Sequence, residues 1–394
     1  MEFCDIISYE LNPNINIDGI KKKSINLDGE IYTMFNYDKD KMDEENIEIQ
    51  NYRSVLFNGN NNLVSNSLPK SIKYDKFKIE NDLKNEDLLV TEIIEGTMVN
   101  LFYTGKKWDI CTKGSVGGKY FFYRNGYDKK YGKDKQLTFK KMFYDGLRLD
   151  TDESFITLTN NLSKNHCYSF VLQHPDNHIV LNNIEPKVYL VAVFELNNNN
   201  VKYVCLKDVK NMDSIKTLEG LIYFPKIIEK LNDFNKMELN YTKDNCDLMV
   251  GLMYFNEKTG ERSHNINETY KKMKNLRGNN PNLQYQYLCL KKIGKVKEFL
   301  EFFPQYKDLF YKFYIEYKNF LTNLHQSYLS FYIQKNGEKV NKKYFYHVYR
   351  IHHNIYLPSL TGTKKIMNKA EIYNYFETYD PIQQLYYLNY NIME

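Results

Sequence analysis

The chain has 394 residues, of which 42% are hydrophobic, and a formal net charge of +5. This length is enough for two or three domains, and the mild excess of cations permits an anionic partner without marking a strongly basic nucleic-acid binder. The sequence has no apolar run long enough to cross a bilayer and no basic, apolar leader. Its six cysteines are scattered without a CxxC pair, which argues against a disulfide framework or a zinc site. We therefore expect an intracellular, cytoplasmic protein without a membrane partner.

The first half of the chain predicts mainly β-structure. Residues 1–50 are polar and broken by Asn, Asp and Gly, and the DKDKMDEEN run within them is typical of a loop. YRSVLFNGNNNLVS predicts a hairpin around its Gly-Asn run. LLVTEIIEG, TMVNLFYTGKKWDICTKG and KYFFYRNG predict further strands, with a tight turn at Gly105 and Lys106. Residues 135–165 predict helix, because KQLTFKKMFYDGL has apolar residues at helical spacing.

The second half changes from strands to helices. HCYSFVLQHPDNHIVL, KVYLVAVFEL and VKYVCLKDV predict strands, LEGLIYFPKIIEKLND predicts a helix, and LMVGLMYFNEKTGERS predicts strand, turn and strand. From Glu268 onward the apolar residues follow a helical period. The predicted organisation is a polar segment (1–50), an α+β core (51–292) and an all-helical C-terminal domain (293–394).

Five sequence blocks between Tyr52 and Lys292 resemble those of a known family. The blocks are YRSVLFN…SLPKS, TEIIEGTMVNLFY, CTKGS, SFVLQHPDNHIVL with KVYLVAVFEL, and MVGLMYFNEKTGERSHNINETY. They resemble the motifs of ATP-dependent RNA ligases of the phage tRNA-repair type, in the covalent nucleotidyltransferase superfamily, and the ligase-like proteins of giant viruses. The resemblance implies an α+β, RNA/DNA ligase-like nucleotidyltransferase core of antiparallel sheets around a nucleotide cleft.

The resemblance also implies which residues contact a nucleotide. Arg53 and Lys70 take positions that offer cations to its phosphates, and Lys113 takes the basic position of the third block. Glu95 and Gly96 form the corner of the first motif. The implied ligand is ATP or another nucleotide with magnesium, although a protein without catalysis would require no cofactor.

The charged groups that carry the family's chemistry are replaced in this sequence. In these enzymes a lysine amine attacks the α-phosphate of ATP, which requires a nucleophilic amine held near phosphorus. That position is Ile93 here, the two acid positions are Val171 and Val250, and the last motif's lysines fall on His264 and Ile266. We therefore predict no catalytic residue. Lys84, the nearest lysine before Ile93, precedes the strand and is not followed by glycine.

One further run suits a nucleic-acid surface. LRGNNPNLQYQYLCLKK places Arg277, Lys291 and Lys292 around Tyr285 and Tyr287, and interleaved basic and aromatic residues can bind RNA. The alternative is an interdomain linker that packs its tyrosines.

His174 and His178 are four residues apart, but their strand-like context and Pro175 argue against a helical pair of ligands. The adjacent His352 and His353 cannot both point one way, so we predict no metal ligands.

The leading functional prediction is an RNA-ligase-like protein that binds RNA or nucleotide and has lost lysine adenylylation. One alternative is an active RNA ligase or end-repair enzyme that uses a displaced lysine. The other is a scaffold for a protein partner, with a vestigial cleft. A covalent nucleotide adduct distinguishes the first alternative, and the absence of any nucleotide effect on stability distinguishes the second.

Overall fold

The computed structural model describes two compact units, residues 1–272 and 273–394. The predicted boundary at 292/293 lies inside the second unit, at the end of a helix. The α+β fold class, with antiparallel sheets and a helical C-terminal region, is confirmed. The residues that the structure describes are 7–41, 46–81, 83, 87–119, 138–177, 180–182, 185–228, 249–278, 280, 282–337, 339–362 and 364–390.

The strands of the first unit form three antiparallel sheets. The largest has the order β1-β12-β11-β10-β7-β8-β9, the second β14-β13-β6 and the third β2-β3-β4-β5. The strands are β1 (Ser8–Glu10), β2 (Ile20–Leu27), β3 (Glu30–Tyr37), β4 (Arg53–Asn58), β5 (Leu63–Ser65), β6 (Leu88–Glu92), β7 (Thr97–Tyr103), β8 (Trp108–Thr112), β9 (Ser115–Val116), β10 (His166–Gln173), β11 (Lys187–Asn197), β12 (Asn200–Val204), β13 (Gly251–Asn256) and β14 (Arg262–Ile266).

Most strand predictions match these elements. The hairpin of YRSVLFNGNNNLVS is β4–β5, and the turn at Gly105 joins β7 to β8 with a φ of 96°, a conformation that favours glycine. KYFFYRNG lies outside the described residues, except for its first residue. The polar segment 1–50, to which the sequence assigned no element, contributes β1, β2 and β3. Its strands escaped prediction because the exposed positions of β2 are lysines rather than a simple apolar alternation.

The helix predicted at LEGLIYFPKIIEKLND is wrong over its described part. Residues 218–228 instead form turns and isolated bridges that pass from the large sheet to the three-stranded sheet. Tyr223 N–H donates to the carbonyl of Val188, and Ile228 N–H donates to that of Val90. Pro225 lacks a backbone donor and restricts the residue before it, so this crossing is favoured over a helix.

Helices cover two of the sheet faces in the first unit. The helices are α1 (Ile47–Asn51), α2 (Tyr74–Glu80), α3 (Phe139–Gly146), α4 (Asp152–Thr159), α5 (Leu206–Val209) and α6 (Asp213–Lys216). Thr138 and Thr151 cap α3 and α4, because their hydroxyls accept hydrogen bonds from free backbone N–H groups. Phe143 packs against Phe170 of the large sheet, and Phe77 of α2 packs against Tyr254 of the three-stranded sheet.

The second unit is helical in its described residues. Its longer helices are α8 (Leu283–Lys292), α9 (Val296–Phe302), α10 (Lys307–Tyr328), α11 (Lys342–Ile351), α12 (Lys369–Glu377) and α13 (Pro381–Leu388), and α7 (Glu268–Arg277) spans the division between the units. A 3₁₀ turn (Pro304–Tyr306) and a short α-helix (Leu357–Ser359) also belong to this unit. π-Helical turns extend α10 over Leu329–Gln334 and α11 over His352–Tyr356. The core is aromatic: the rings of Phe299 and Phe310 stack 4.7 Å apart.

Candidate anion-binding site

Four positively charged or aromatic side chains of the first unit meet where three sheets come together. Arg53 begins β4 and pairs with the residue before Tyr37, which ends β3. Lys113 lies in the tight turn between β8 and β9, and Arg262 begins β14. We call these four residues, Tyr37, Arg53, Lys113 and Arg262, the basic cluster. Strand ends place side chains accurately because the sheets fix the backbone.

Arg262 is a buried cation without an anion among the described residues. Its side chain is only 5% exposed. Nε donates to the hydroxyl of Ser71 at 3.2 Å and Nη2 contacts the Met253 sulfur at 3.4 Å, while Nη1 is buried with no hydrogen-bond partner in the described part of the chain. Burial, followed by the nearby charge of Arg53, lowers the Arg262 pKa to about 9, so the group is still charged at neutral pH.

Arg53 and Lys113 extend this positive region toward solvent. Burial lowers the pKa of the half-buried Arg53, and no carboxylate in the described ranges pairs with its guanidinium. The ammonium of Lys113 lies 4.4 Å from the centre of the Tyr37 ring. Burial and the charge of Arg53 lower the Lys113 pKa, although the residue as a whole is exposed. Like charges this close favour an external anion.

Lys70 is linked to the basic cluster through Ser71. Its ammonium donates to the carbonyl oxygen of Ser71 at 2.6 Å, and the hydroxyl of Ser71 is the acceptor for Arg262. The structure therefore places three of the predicted phosphate contacts, Arg53, Lys70 and Lys113, in one neighbourhood. Arg262 joins them, and sequence analysis missed it. The sequence shows only that an arginine opens the strand of the last motif, in GERSH.

Glu95 and Gly96 have contacts of a different kind. The buried Glu95 carboxylate accepts hydrogen bonds from the backbone N–H groups of Val180 and Leu181, and Tyr270 hydrogen-bonds to it. Burial, together with the Glu95 charge, raises the pKa of Tyr270. A Cβ on Gly96 would lie 2.4 Å from the carbonyl oxygen of Leu172, so the close approach of two strands explains this glycine. Both residues hold the fold locally.

Two of the replaced positions, His264 and Ile266, share one sheet face with Arg262. Ile93 N–H donates to the carbonyl of Gly251, which pairs with Ile266, and His264 pairs with Met253. Side chains alternate along a strand, so Arg262, His264 and Ile266 project from one face. Ile266 and Arg262 are four residues apart, or about 13 Å along the strand. This face thus carries His264 and Ile266 at the two positions where the sequence resemblance implies lysines.

The acid positions are apolar and structural. Val250 is buried, and its carbonyl accepts the N–H of Asn267. Val171 lies on β10 opposite Met98 of β7. The described residues contain no group of three or more His, Cys, Asp or Glu side chains able to hold a metal. The basic cluster fits phosphate oxygens, whereas the residues around it that the structure describes do not fit a magnesium ion.

The residues predicted to bind RNA lie in the second unit, and most of their side chains are engaged in contacts within that unit. Tyr287 is buried against Phe313, and the buried Arg277 lies over the ring of Tyr306. The ammonium of Lys291 pairs with the carboxylate of Glu377, and Lys292 pairs with Asp380 at 3.0 Å. The side chain of Tyr285 is half-buried and hydrogen-bonds to Cys289. The structure therefore gives Arg277, Tyr287 and Lys291 packing and pairing roles within the helices.

Comparison with curated proteins finds viral relatives. No family model matches the chain. It is 25% identical over 268 residues to the immediate-early protein ICP-46 homolog of Invertebrate iridescent virus 6, a match that covers 66% of this chain and 56% of that protein. It is 27% identical over 135 residues to the immediate-early protein ICP-46 of Frog virus 3, covering 31% of this chain and 32% of that one. The chain thus spans about half, or less, of the length of these relatives.

Solved structures similar to this chain include ligases. One is a putative ATP-dependent DNA ligase from Aquifex aeolicus, with 10% identity, a TM-score of 0.41, and coverage of 66% of this chain and 62% of that one. Another is a mutant RNA ligase from Naegleria gruberi with ATP and Mn, with 11% identity, a TM-score of 0.37, and coverage of 54% and 59%. The predicted resemblance to viral proteins is confirmed as a likeness in sequence. No described helix is long and apolar enough to cross a membrane.

Proposed function

We propose that the protein binds the phosphates of a nucleotide or an RNA end at the basic cluster and does not transfer the nucleotide to a lysine. The observation that carries the proposal is the buried guanidinium of Arg262, which has one nitrogen without a partner in the described residues. Burying an unpaired charge is costly, so such a group is retained where an external anion can pair with it. Guanidinium groups match phosphate oxygens in geometry as well as in charge.

The absence of a nucleophile at position 93 supports binding without transfer. An isoleucine side chain cannot attack phosphorus, and two lysine positions of the last motif are also replaced. The test is incubation with radiolabelled ATP, and separately GTP, with magnesium or manganese, followed by a denaturing gel. We expect no labelled protein band, and a covalent band would overturn this part of the proposal.

Binding itself is tested by thermal stability. A ligand that binds only the folded state raises the melting temperature, and the stabilisation grows with the logarithm of the ligand concentration above Kd. We expect ATP and inorganic pyrophosphate to raise it in the wild type and in Lys292→Ala, which loses a similar charge in the second unit. Arg53→Ala should lose most of the shift. No shift in the wild type would instead favour the scaffold alternative.

One observation favours the alternative of a displaced nucleophile. The Lys113 amine has a lowered pKa because of burial and the neighbouring cation Arg53, and this is how an attacking lysine is activated. Lys84, the lysine nearest to Ile93 in the sequence, lies outside the described residues. If the gel shows a labelled band, Lys113→Ala should remove it, and Lys70→Ala should not.

The proposal includes RNA as the main partner and a cytoplasmic site of action, in the host cell of a virus. Cys111 and Cys167 are buried thiols that form no disulfide and interact electrostatically with each other. Burial raises the pKa of each to about 12. Free, close thiols support a reducing compartment.

A further inference from the structure

The solvent side of α11 is built from aromatic and basic residues. Its inner side is ordinary core: His347, Val348 and Ile351 are buried. On the outer side, Phe345 is 55%, Tyr346 46% and Tyr349 52% exposed. We call the outer row the aromatic stripe. It consists of Lys342, Phe345, Tyr346, Tyr349, Arg350 and His353, at the spacing of one helix face.

The rings continue from α11 onto the end of α10. The rings of Tyr349 and His353 are 4.2 Å apart, and His352 stacks on Tyr332 at 3.6 Å with an interplanar angle of 6°. Both ring pairs involve the π-helical turns that extend α10 and α11, and π-turns inside helices are frequent at functional sites. From Phe345 to His353 the helix rises about 12 Å, the length of three to four stacked bases at roughly 3.4 Å each.

Charge distinguishes this surface from an ordinary apolar patch. Residues 335–365 contain seven lysines or arginines and one acid, Glu338, so their net charge of +6 exceeds the +5 of the whole chain. Lys335, Lys339 and Lys342 are exposed and pair with no carboxylate within the described residues. Arg350 hydrogen-bonds to the Tyr346 hydroxyl at 2.8 Å, lies over the face of that ring and also hydrogen-bonds to Tyr379. No carboxylate among the described residues pairs with it.

We propose that the aromatic stripe is a stacking surface for single-stranded nucleic acid. Every base presents a π-face to an exposed ring, and unpaired cations beside the rings neutralise the phosphates. A protein partner would also accept tyrosines and arginine, but the concentration of unpaired cations favours a polyanion. The proposal does not depend on the basic cluster, because the two surfaces share no residue and can each fail separately.

The test is fluorescence anisotropy of the full chain with a labelled polyuridine of about 12 nucleotides, a length within the site sizes of single-strand binders. We expect Tyr349→Ala to weaken binding about tenfold and Tyr349→Trp to keep it, because stacking needs the ring and not the hydroxyl. Lys342→Gln should lower the slope of log K against log salt by about 0.7.

A matched control separates stacking from a general loss of tyrosine. Tyr311 is 63% exposed and lies on α10, about 30 Å before Tyr332 along the helix. Tyr311→Ala should bind as the wild type does. Because all substituted side chains are exposed, circular dichroism should show unchanged folding.

Three results would overturn the stacking surface. The first is no binding of polyuridine by the wild type, and the second is unchanged affinity in Tyr349→Ala. The third is a loss of binding in Arg53→Ala alone, which would assign the RNA to the basic cluster. A different result would identify the aromatic stripe as a contact between copies of this chain. In that case the wild type would self-associate and fail to bind polyuridine, and the Tyr349→Ala variant would be monomeric.

Discussion

In the second unit the ammonium of Lys291 pairs with a carboxylate and the buried His347 is neutral, whereas the first unit leaves its buried Arg262 without a counter-ion in the described residues. Lys291 contacts the carboxylate of Glu377, and this carboxylate also accepts a hydrogen bond from the Tyr317 hydroxyl. His347 is fully buried, and burial lowers its pKa to about 4, so it is neutral at physiological pH. Arg262 cannot lose its proton at that pH.

This difference indicates that buried basic side chains have two roles, one in the stability of the fold and one in ligand binding. A buried cation that pairs with a carboxylate of the same unit, or that is neutral because its pKa is lowered, is compatible with a stable core. A charge kept without a partner reduces stability and is expected at a site that receives a ligand. Each account predicts the sign of a mutational effect, and the experiments below compare these signs.

The largest effect is expected from breaking the internal pair. Glu377→Gln keeps the side-chain shape but leaves the half-buried ammonium of Lys291 without a carboxylate, so it should reduce the free energy of unfolding by about 3 kcal/mol. Glu371→Gln is the matched control, because Glu371 pairs with the more exposed Lys365 at 3.1 Å and should cost less than about 1 kcal/mol. Urea unfolding followed by circular dichroism measures both. Equal losses would mean that burial of the Lys291 pair is unimportant.

The sequence predicted the elements better than it predicted these charge relations. Strands β4 to β8 and β10 to β14 followed from apolar runs and turn residues, and the C-terminal helices followed from their period. The strands of residues 1–50 did not, because their lysine-rich edge obscures the alternation. The prediction of a helix at residues 218–228 was wrong because the spacing of apolar residues does not reveal hydrogen bonds to two separate sheets.

The candidate site shows the same limit. The spacing of motifs identified Arg53, Lys70 and Lys113, which the structure brings near one another. It could not identify Arg262, because an unpaired guanidinium is recognised by its burial and by its missing partner, and neither is visible in a sequence. The interleaved Tyr287 and Arg277 looked like a surface, but a helical period cannot by itself distinguish an aromatic core from an aromatic exterior.

The next effect in size concerns the charge that the second unit neutralises. His347 donates to or accepts from the Tyr375 hydroxyl at 2.9 Å and is surrounded by rings, of which Tyr387 is 4.2 Å away. Burial, aided by the charge of Arg350, lowers its pKa from 6.5 to about 4. Between these values the unfolded chain binds more protons than the folded one, so stability falls as the pH falls.

We expect His347 to account for a loss of about 2 kcal/mol between roughly pH 7 and pH 5. His347→Gln does not titrate and keeps a hydrogen-bonding side chain. Its free energy of unfolding should therefore depend less steeply on pH over this window, whatever its value at neutral pH. If the free energy of unfolding depended on pH in the same way in both proteins, the aromatic rings around His347 would not lower its pKa.

The smallest effect has the opposite sign and tests the comparison most directly. Arg262→Met removes a buried charge, and the loss of its contacts with Ser71 and Met253 should be smaller than the gain from ending its desolvation. We expect the unliganded protein to become more stable by about 1 kcal/mol, while stabilisation by pyrophosphate disappears. Arg148→Met makes the same exchange at an exposed position, where neither quantity should change. Arg262→Met could instead destabilise the protein by as much as Glu377→Gln does. The guanidinium would then be a structural group that stabilises the first unit, as the Lys291–Glu377 pair stabilises the second.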